Sequence, residues 1–200
     1  SGNLDINGSL NANRQGNGDG GSISIISNSA SSFKVDGKGG KNLIDGTLDA
    51  KGGATSGTGG SVTVINLGSG GVTVQDPEDI NVLPTSGDGG SIDLEAPAGL
   101  LDIGNGDLSA DSKGGTGGSI RLIASSINFG NTNVSANTGS IVVNSGFNGL
   151  TTITNSLKAQ DIALIAPNGG FTLNTTTDNV VATNSAALIT KNSITDASLA

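Results

Sequence analysis

The chemistry open to this 200-residue chain is narrow. It carries 15 Asp, 2 Glu, 7 Lys and 2 Arg, and neither His nor Cys. Carboxylates are therefore the first groups to weigh. The densest cluster is Asp76-Pro77-Glu78-Asp79. Its oxygens are of the kind that suit a hard cation such as calcium, although so short a run also reads as a solvated turn. Four octets that begin at Gly18, Gly57, Gly87 and Gly115 share glycine and aspartate with calcium-binding G-G-x-G-x-D-x-U-x nonapeptides. They lack the nine-residue period, and Thr58 and Thr116 stand where the others have Asp, so no cofactor is expected. Lys34, Lys38, Lys41 and Lys51 gather four of the nine basic residues in and beside the segment 36–47. Such a group would grip an anionic sugar or cell-wall polymer; the plainer reading is a solvated loop. The run from Gly16 to Gly21 matches G-x-G-x-x-G. A dinucleotide site needs a helix next, and Ser22-Ile-Ser-Ile25 reads as a strand.

Other chemistry falls away with the missing residue types. Without His or Cys there is no usual ligand set for zinc, haem or an iron–sulfur cluster, no disulfide, and no Ser-His-Asp or Cys-His catalysis. A polysaccharide lyase or hydrolase would need clustered carboxylates, a nearby cation and aromatic sugar platforms. Arg14 and Arg121 are isolated and four Phe are the only aromatics, so no enzyme is expected. The net charge of −8 repels nucleic acid and anionic membrane surfaces. No run approaches the ~18 apolar residues of a membrane helix. The start, Ser1-Gly2-Asn3-Leu4, has neither Met nor the regions of a signal peptide, and reads as a processed product or a piece of something longer. A chain without Cys also suits export in an unfolded state.

What must position these residues is a repeat. The octets are Gly18–Ile25, Gly57–Val64, Gly87–Leu94 and Gly115–Leu122, followed by the weaker copies Thr138–Val143 and Asp161–Leu164. Their Ser or Asp positions, 22, 61, 91, 119, 140 and 161, close up from a spacing of 39 residues to one of 21. An apolar-x-apolar element precedes the octets, as in Leu10-Asn-Ala12, Leu48-Asp-Ala50, Leu108-Ser-Ala110 and Leu157-Lys-Ala159. Another lies between them, as in Phe33-Lys-Val35, Val72-Thr-Val74 and Leu101-Asp-Ile103. Alternation with period 2 means strands with one apolar face. Three short strands in about twenty residues, repeated, predict an all-β fold: a right-handed, single-stranded parallel β-helix of about seven rungs. At about 4.8 Å per rung the rod would be on the order of 34 Å long.

One rung buries too few side chains to offset the ordering of its own backbone, so rungs must stack. Glycine, 34 of 200 residues, falls at predicted corners, where tight turns call for positive φ. The loops 13–21, 51–60, 83–90 and 111–118 should line one edge and vanish beyond Ala136. They form either a ridge that recognises a partner or an edge that tolerates insertion. Clear rungs span about 4–182 of a single segment, with a weaker pattern over 183–200. Strands left open at both ends invite pairing with flanking rungs or with other copies of the chain.

Units such as Gly87-Asp-Gly-Gly-Ser-Ile-Asp-Leu94, with apolar-x-Ala segments such as Leu108-Ser-Ala110, resemble filamentous-haemagglutinin-like exoproteins of two-partner secretion. The resemblance covers roughly residues 4–182 and is one of repeat style. It implies a bacterial, extracellular or cell-surface protein that serves adhesion, biofilm or a surface layer, with host-surface or matrix glycans as partners. No secretion domain of that family is visible, and no functional residue carries over. A self-assembling filament or sheath subunit is the alternative. An ice-binding helix is remote, because the outward positions Ser24, Thr63, Asp93, Arg121, Val142 and Ala163 form no threonine array.

Overall fold

The computed structural model describes residues 4–35, 41–173, 180–192 and 194–196. It is all-β apart from one turn of 3-10 helix at Pro77–Asp79, and every strand-to-strand pairing is parallel. The strands fall into three series that the chain visits in turn. The first holds Ser22–Ser27, Ser61–Asn66, residues 91–96 and 119–124, Ser140–Ser145, and residues 161–166 and 185–190. The second includes Phe33–Val35, Val72–Val74 and residues 101–103 and 126–128, then a separate sheet of Leu150–Ile153, Gly170–Leu173 and Ile194–Asp196. The third runs through Leu10–Asn11, Leu48–Asp49 and Ile80–Asn81, then Gly106–Ser109, Thr132–Ser135 and residues 157–159 and 180–182.

The register agrees with the repeat read from the sequence. Ser22, Ser61, Ser91, Ser119, Ser140 and Asp161 are successive partners, and Ser185 extends the column past the last predicted octet. The next residues, Ile23, Val62, Ile92, Ile120, Ile141 and Ile162, all point inward and are buried. One continuous core draws on all three series, with Phe33, Phe129 and Phe171 among its largest members. Aliphatic side chains stacked on like side chains bury their apolar area from layer to layer, which is the main favourable term.

The glycines work differently from the expectation. Gly18, Gly57 and Gly87, at the head of three octets, do have positive φ. The Gly-Gly pairs that follow do not; close approach excludes a side chain there. A Cβ on Gly59 would lie 1.8 Å from the carbonyl oxygen of Val82, and one on Gly118 would lie 1.7 Å from that of Gly90. The same obstruction by neighbouring backbone recurs at Gly20, Gly60, Gly89, Gly90, Gly117 and Gly139.

The segment 36–47 also departs from a simple loop. Residues 36–40 lie outside the described set, but Leu43–Ile44 forms a strand inserted between Asp5–Ile6 and Phe33–Val35. Both of its side chains are buried. Asn42, at φ 62°, is buried as well and donates its amide to the carbonyls of Ser31 and Ser32. One layer on, buried Asn66 repeats the device. Its Nδ2 donates to Ser29, Ser31 and Gly71 carbonyls, and its Oδ1 accepts from the Ser29 and Gly68 amides. The corner between first and second series thus has its inward polar groups paired by asparagine.

In the strand Leu150–Ile153 the inward pair is Thr151 and Ile153. The buried Thr151 hydroxyl pairs with that of Ser145 at 2.8 Å. Among the described residues no helix is long and apolar enough to cross a membrane.

Two substitutions separate these effects. Gly118→Ala should cost about 3 kcal/mol or more by forcing backbones apart, whereas Gly146→Ala, whose nearest neighbour would be 3.4 Å away, should be close to neutral. Asn66→Ala should cost roughly 2–4 kcal/mol by stranding several buried backbone groups. Urea unfolding followed by circular dichroism measures all three.

Candidate functional site

A trough runs along the corner that leads into the first series. Its cavity volume is about 890 Å³ and it lies open to solvent. Its floor is the stacked Gly-Gly pairs and its wall is the Ser column, from Asp19 and Ser22 at one end to Gln160 and Asp161 at the other. Close backbone packing makes the floor: wherever a Cβ is excluded, the surface is left hollow. Thr58, Thr116 and Thr138 add hydroxyls. The trough therefore presents a line of hydroxyls and peptide groups, able to hydrogen bond along an extended polymer. Among the described residues that line it there is no Lys or Arg.

The loops beside the trough share one closure. The Ala12 carbonyl accepts from Gly21 N–H at 2.7 Å, Ala50 from Gly60 at 2.7 Å and Ala110 from Gly118 at 2.9 Å; Ala136 accepts likewise from Gly139. The closed excursion holds nine residues after Ala50 and two after Ala136. Loop length is thus free at this corner, as expected of an edge that tolerates insertion. The loops also bond to one another, Gly20 to Thr58, Gly59 to Asp88 and Gly89 to Thr116, each N–H donating to the next carbonyl.

Carboxylates act chiefly as links between layers. Asp19 accepts from Thr58 N–H at 2.9 Å and Asp88 from Thr116 N–H at 2.7 Å. Asp102 and Asp107 accept from the Asn128 and Asn133 amides. Asp111 accepts from Ser135 and Asn137, and Asp161 from Asn184 and Ser185. The Thr58 amide holds the Asp19 carboxyl below its ordinary range. The Ser185 hydroxyl, with the Asn184 amide, does the same for Asp161.

One cluster goes the other way. Arg121 reaches across to Asp93 at 2.9 Å and to Glu95. Burial, then the charge of Asp93, raises the Glu95 carboxyl above its ordinary range, against the pull of Arg121. Asp93 Oδ1 is buried without a hydrogen-bond partner, so a proton on Glu95 would find an acceptor beside it.

Among the described residues, those singled out from the sequence do not assemble into one site. Asp76 caps the 3-10 turn by accepting from Glu78 N–H at 3.1 Å. Glu78 borders a shallow pocket with Ile80, Asn81, Leu83, Asp107 and Ser109, whose lining does not include Asp76 or Asp79. Among the described residues no three acidic side chains converge as a metal-ligand set. Lys38 lies outside the described residues. Lys34 is on a second-series strand and Lys41 precedes the inserted one, whereas Lys51 follows a third-series strand and pairs with Asp49 at 3.1 Å. Lys34 and Lys51 therefore belong to different series. The Arg121–Asp93–Glu95 cluster was not foreseen. The 28-residue offset between Asp93 and Arg121, equal to that between Ser91 and Ser119, was the signal for it.

No family model, curated protein or solved structure matches the chain.

The carboxylates predict two opposite pH responses. A depressed native pKa stabilises above the ordinary value of 3.8 and is lost as pH falls through the native one, so Asp161→Asn should melt lower than the parent at pH 7 and converge with it in acid. A raised native pKa stabilises in acid and is lost as pH rises. Glu95→Gln should therefore melt higher than the parent at pH 7, with the gap closing below its ordinary value of 4.5. Melting temperatures from pH 3 to 7 check both signs.

Proposed function

We propose that the three series wind as a single right-handed parallel β-helix of about seven rungs, and that the chain is a non-enzymatic structural or adhesive module of a bacterial surface protein. The sequential visits to three parallel series, around one core, support the coil, and parallel crossovers are right-handed with few exceptions. The observation that carries the functional reading is the use made of the charged and polar side chains. From Asp19 to Asp161 they bond to the next layer, so the exterior is engaged in holding layers together. An acidic rod held in this way is suited to span distance and present surface. Its trough, with aligned hydroxyls and peptide groups, offers a track for neutral glycan chains.

The resemblance in repeat style to filamentous-haemagglutinin-like exoproteins and the absence of cysteine support the extracellular placement. Antibody against the chain should label intact source cells, and protease applied to intact cells should remove the epitope. Labelling that appears only after permeabilisation would contradict the surface assignment.

A further inference from the structure

Among the described residues, one buried side-chain oxygen or nitrogen lacks a hydrogen-bond partner: Asp93 Oδ1. Such an atom costs free energy unless something satisfies it. Its surroundings name the missing group. Arg121 Nη2 donates to Asp93 Oδ2 at 2.9 Å and also to Glu95 Oε1. One guanidinium nitrogen thus draws together two carboxyl groups that leave the same strand face, one on either side of the inward Leu94. Asp93 Oδ1 and Glu95 Oε2 are the oxygens it does not reach. Two carboxylates cannot bond to each other, whereas a carboxylic acid can donate to a carboxylate.

The paired strands add no second cation. On Ser61–Asn66 the outward positions are Ser61, Thr63 and Ile65, and on residues 119–124 they are Ser119, Arg121 and Ile123. The inward neighbours Ile92, Leu94 and Ala96 are apolar and buried. Arg121 is therefore the single charged side chain that faces the pair from the strands paired with residues 91–96. One cation against two carboxylates leaves one negative charge in excess, and a proton removes it. Burial comes first among the causes that raise the Glu95 carboxyl, then the charge of Asp93, opposed by Arg121; a hydrogen bond to Asp93 raises it further.

We propose that Asp93 and Glu95 share one proton, donated from Glu95 Oε2 to Asp93 Oδ1, and that with Arg121 they form a clamp between two neighbouring strands that is set by acid. The proton comes from solvent and returns to it. While it is held, the orphaned oxygen has its donor and the cluster is neutral. When it leaves as pH rises, two negative charges share one strand face and the clamp weakens. This goes beyond the burial cost of Glu95 alone, because it makes Asp93 the other half of a single proton-binding unit.

The test places Glu95→Gln and Glu95→Met in the parent chain and in Asp93→Ala. Both substitutions remove the charge and its burial cost, but only Gln carries an N–H that can stand in for the proton. Circular dichroism first checks the strand spectrum, and melting temperatures are then recorded from pH 3 to 7. At pH 7 the Gln variant should melt about 2–4 °C above the Met variant, the shift expected of one hydrogen bond in a chain of this size. That difference should vanish in Asp93→Ala. A Met variant that melts as high as the Gln variant, or a difference that survives Asp93→Ala, overturns the shared proton. Infrared difference spectra of the parent give a second reading that needs no change at Asp93. The acid carbonyl band of Glu95, identified by its loss in Glu95→Gln, should lie where an acid that donates to a carboxylate absorbs. A band at the position of a solvated carboxylic acid overturns the proposal.

Discussion

The approach of one backbone to the next at the Gly-Gly corners is the constraint on which the rest depends. At Gly59, Gly89, Gly117 and Gly118 the space a Cβ needs is already filled by the carbonyl or amide of another strand or corner. Only glycine lets the corners stack at the strand spacing, about 4.8 Å. Once they do, the Ser column, the buried aliphatic columns and the interlayer hydrogen bonds fall into register together. The trough is the outward face of the same constraint: a surface without side chains, bordered by the first residue that can carry one.

Electrostatics is subordinate to this register but shaped by it. An excess of eight negative charges would be a poor way to stack parallel strands if carboxylates lay on like carboxylates. The strand alignment sets them beside other partners: Asp93 next to Arg121, Asp102 next to Asn128, Asp107 next to Asn133 and Asp161 next to Ser185. Where two carboxylates share one strand face, at Asp93 and Glu95, the cation of the next layer lies between them. The cost of burying Glu95 there is what raises its pKa.

Much of the strand order was legible in the sequence, because period-2 alternation and a repeated octet are local signals. The Ser column could be written down residue by residue from the octets alone. Three things could not. The Gly-Gly pairs looked like turn residues, since a glycine required by close approach and one required by positive φ are the same letter. The strand Leu43–Ile44 was hidden in a basic, Gly-rich insertion, and a two-residue strand carries no periodicity. Asn42 and Asn66 stand among 22 asparagines, and burial, not spacing, distinguishes them. Of the candidate site, the loops and the Ser column were readable. The hollow beside them was not, for it arises from the absence of side chains over five successive corners.

The central claim is the register that the close-packed corners impose, and the lack of cysteine allows a direct measurement. In Ser91→Cys/Ser119→Cys, two Cα atoms that are ladder partners come within the 4.4–6.8 Å that a disulfide spans. In Ser91→Cys/Ala124→Cys, the second position lies five residues further along the strand. Oxidation under native conditions should close the first pair nearly completely and leave the second open, and urea should abolish the difference. Equal closure of both pairs, or of neither, would contradict the register.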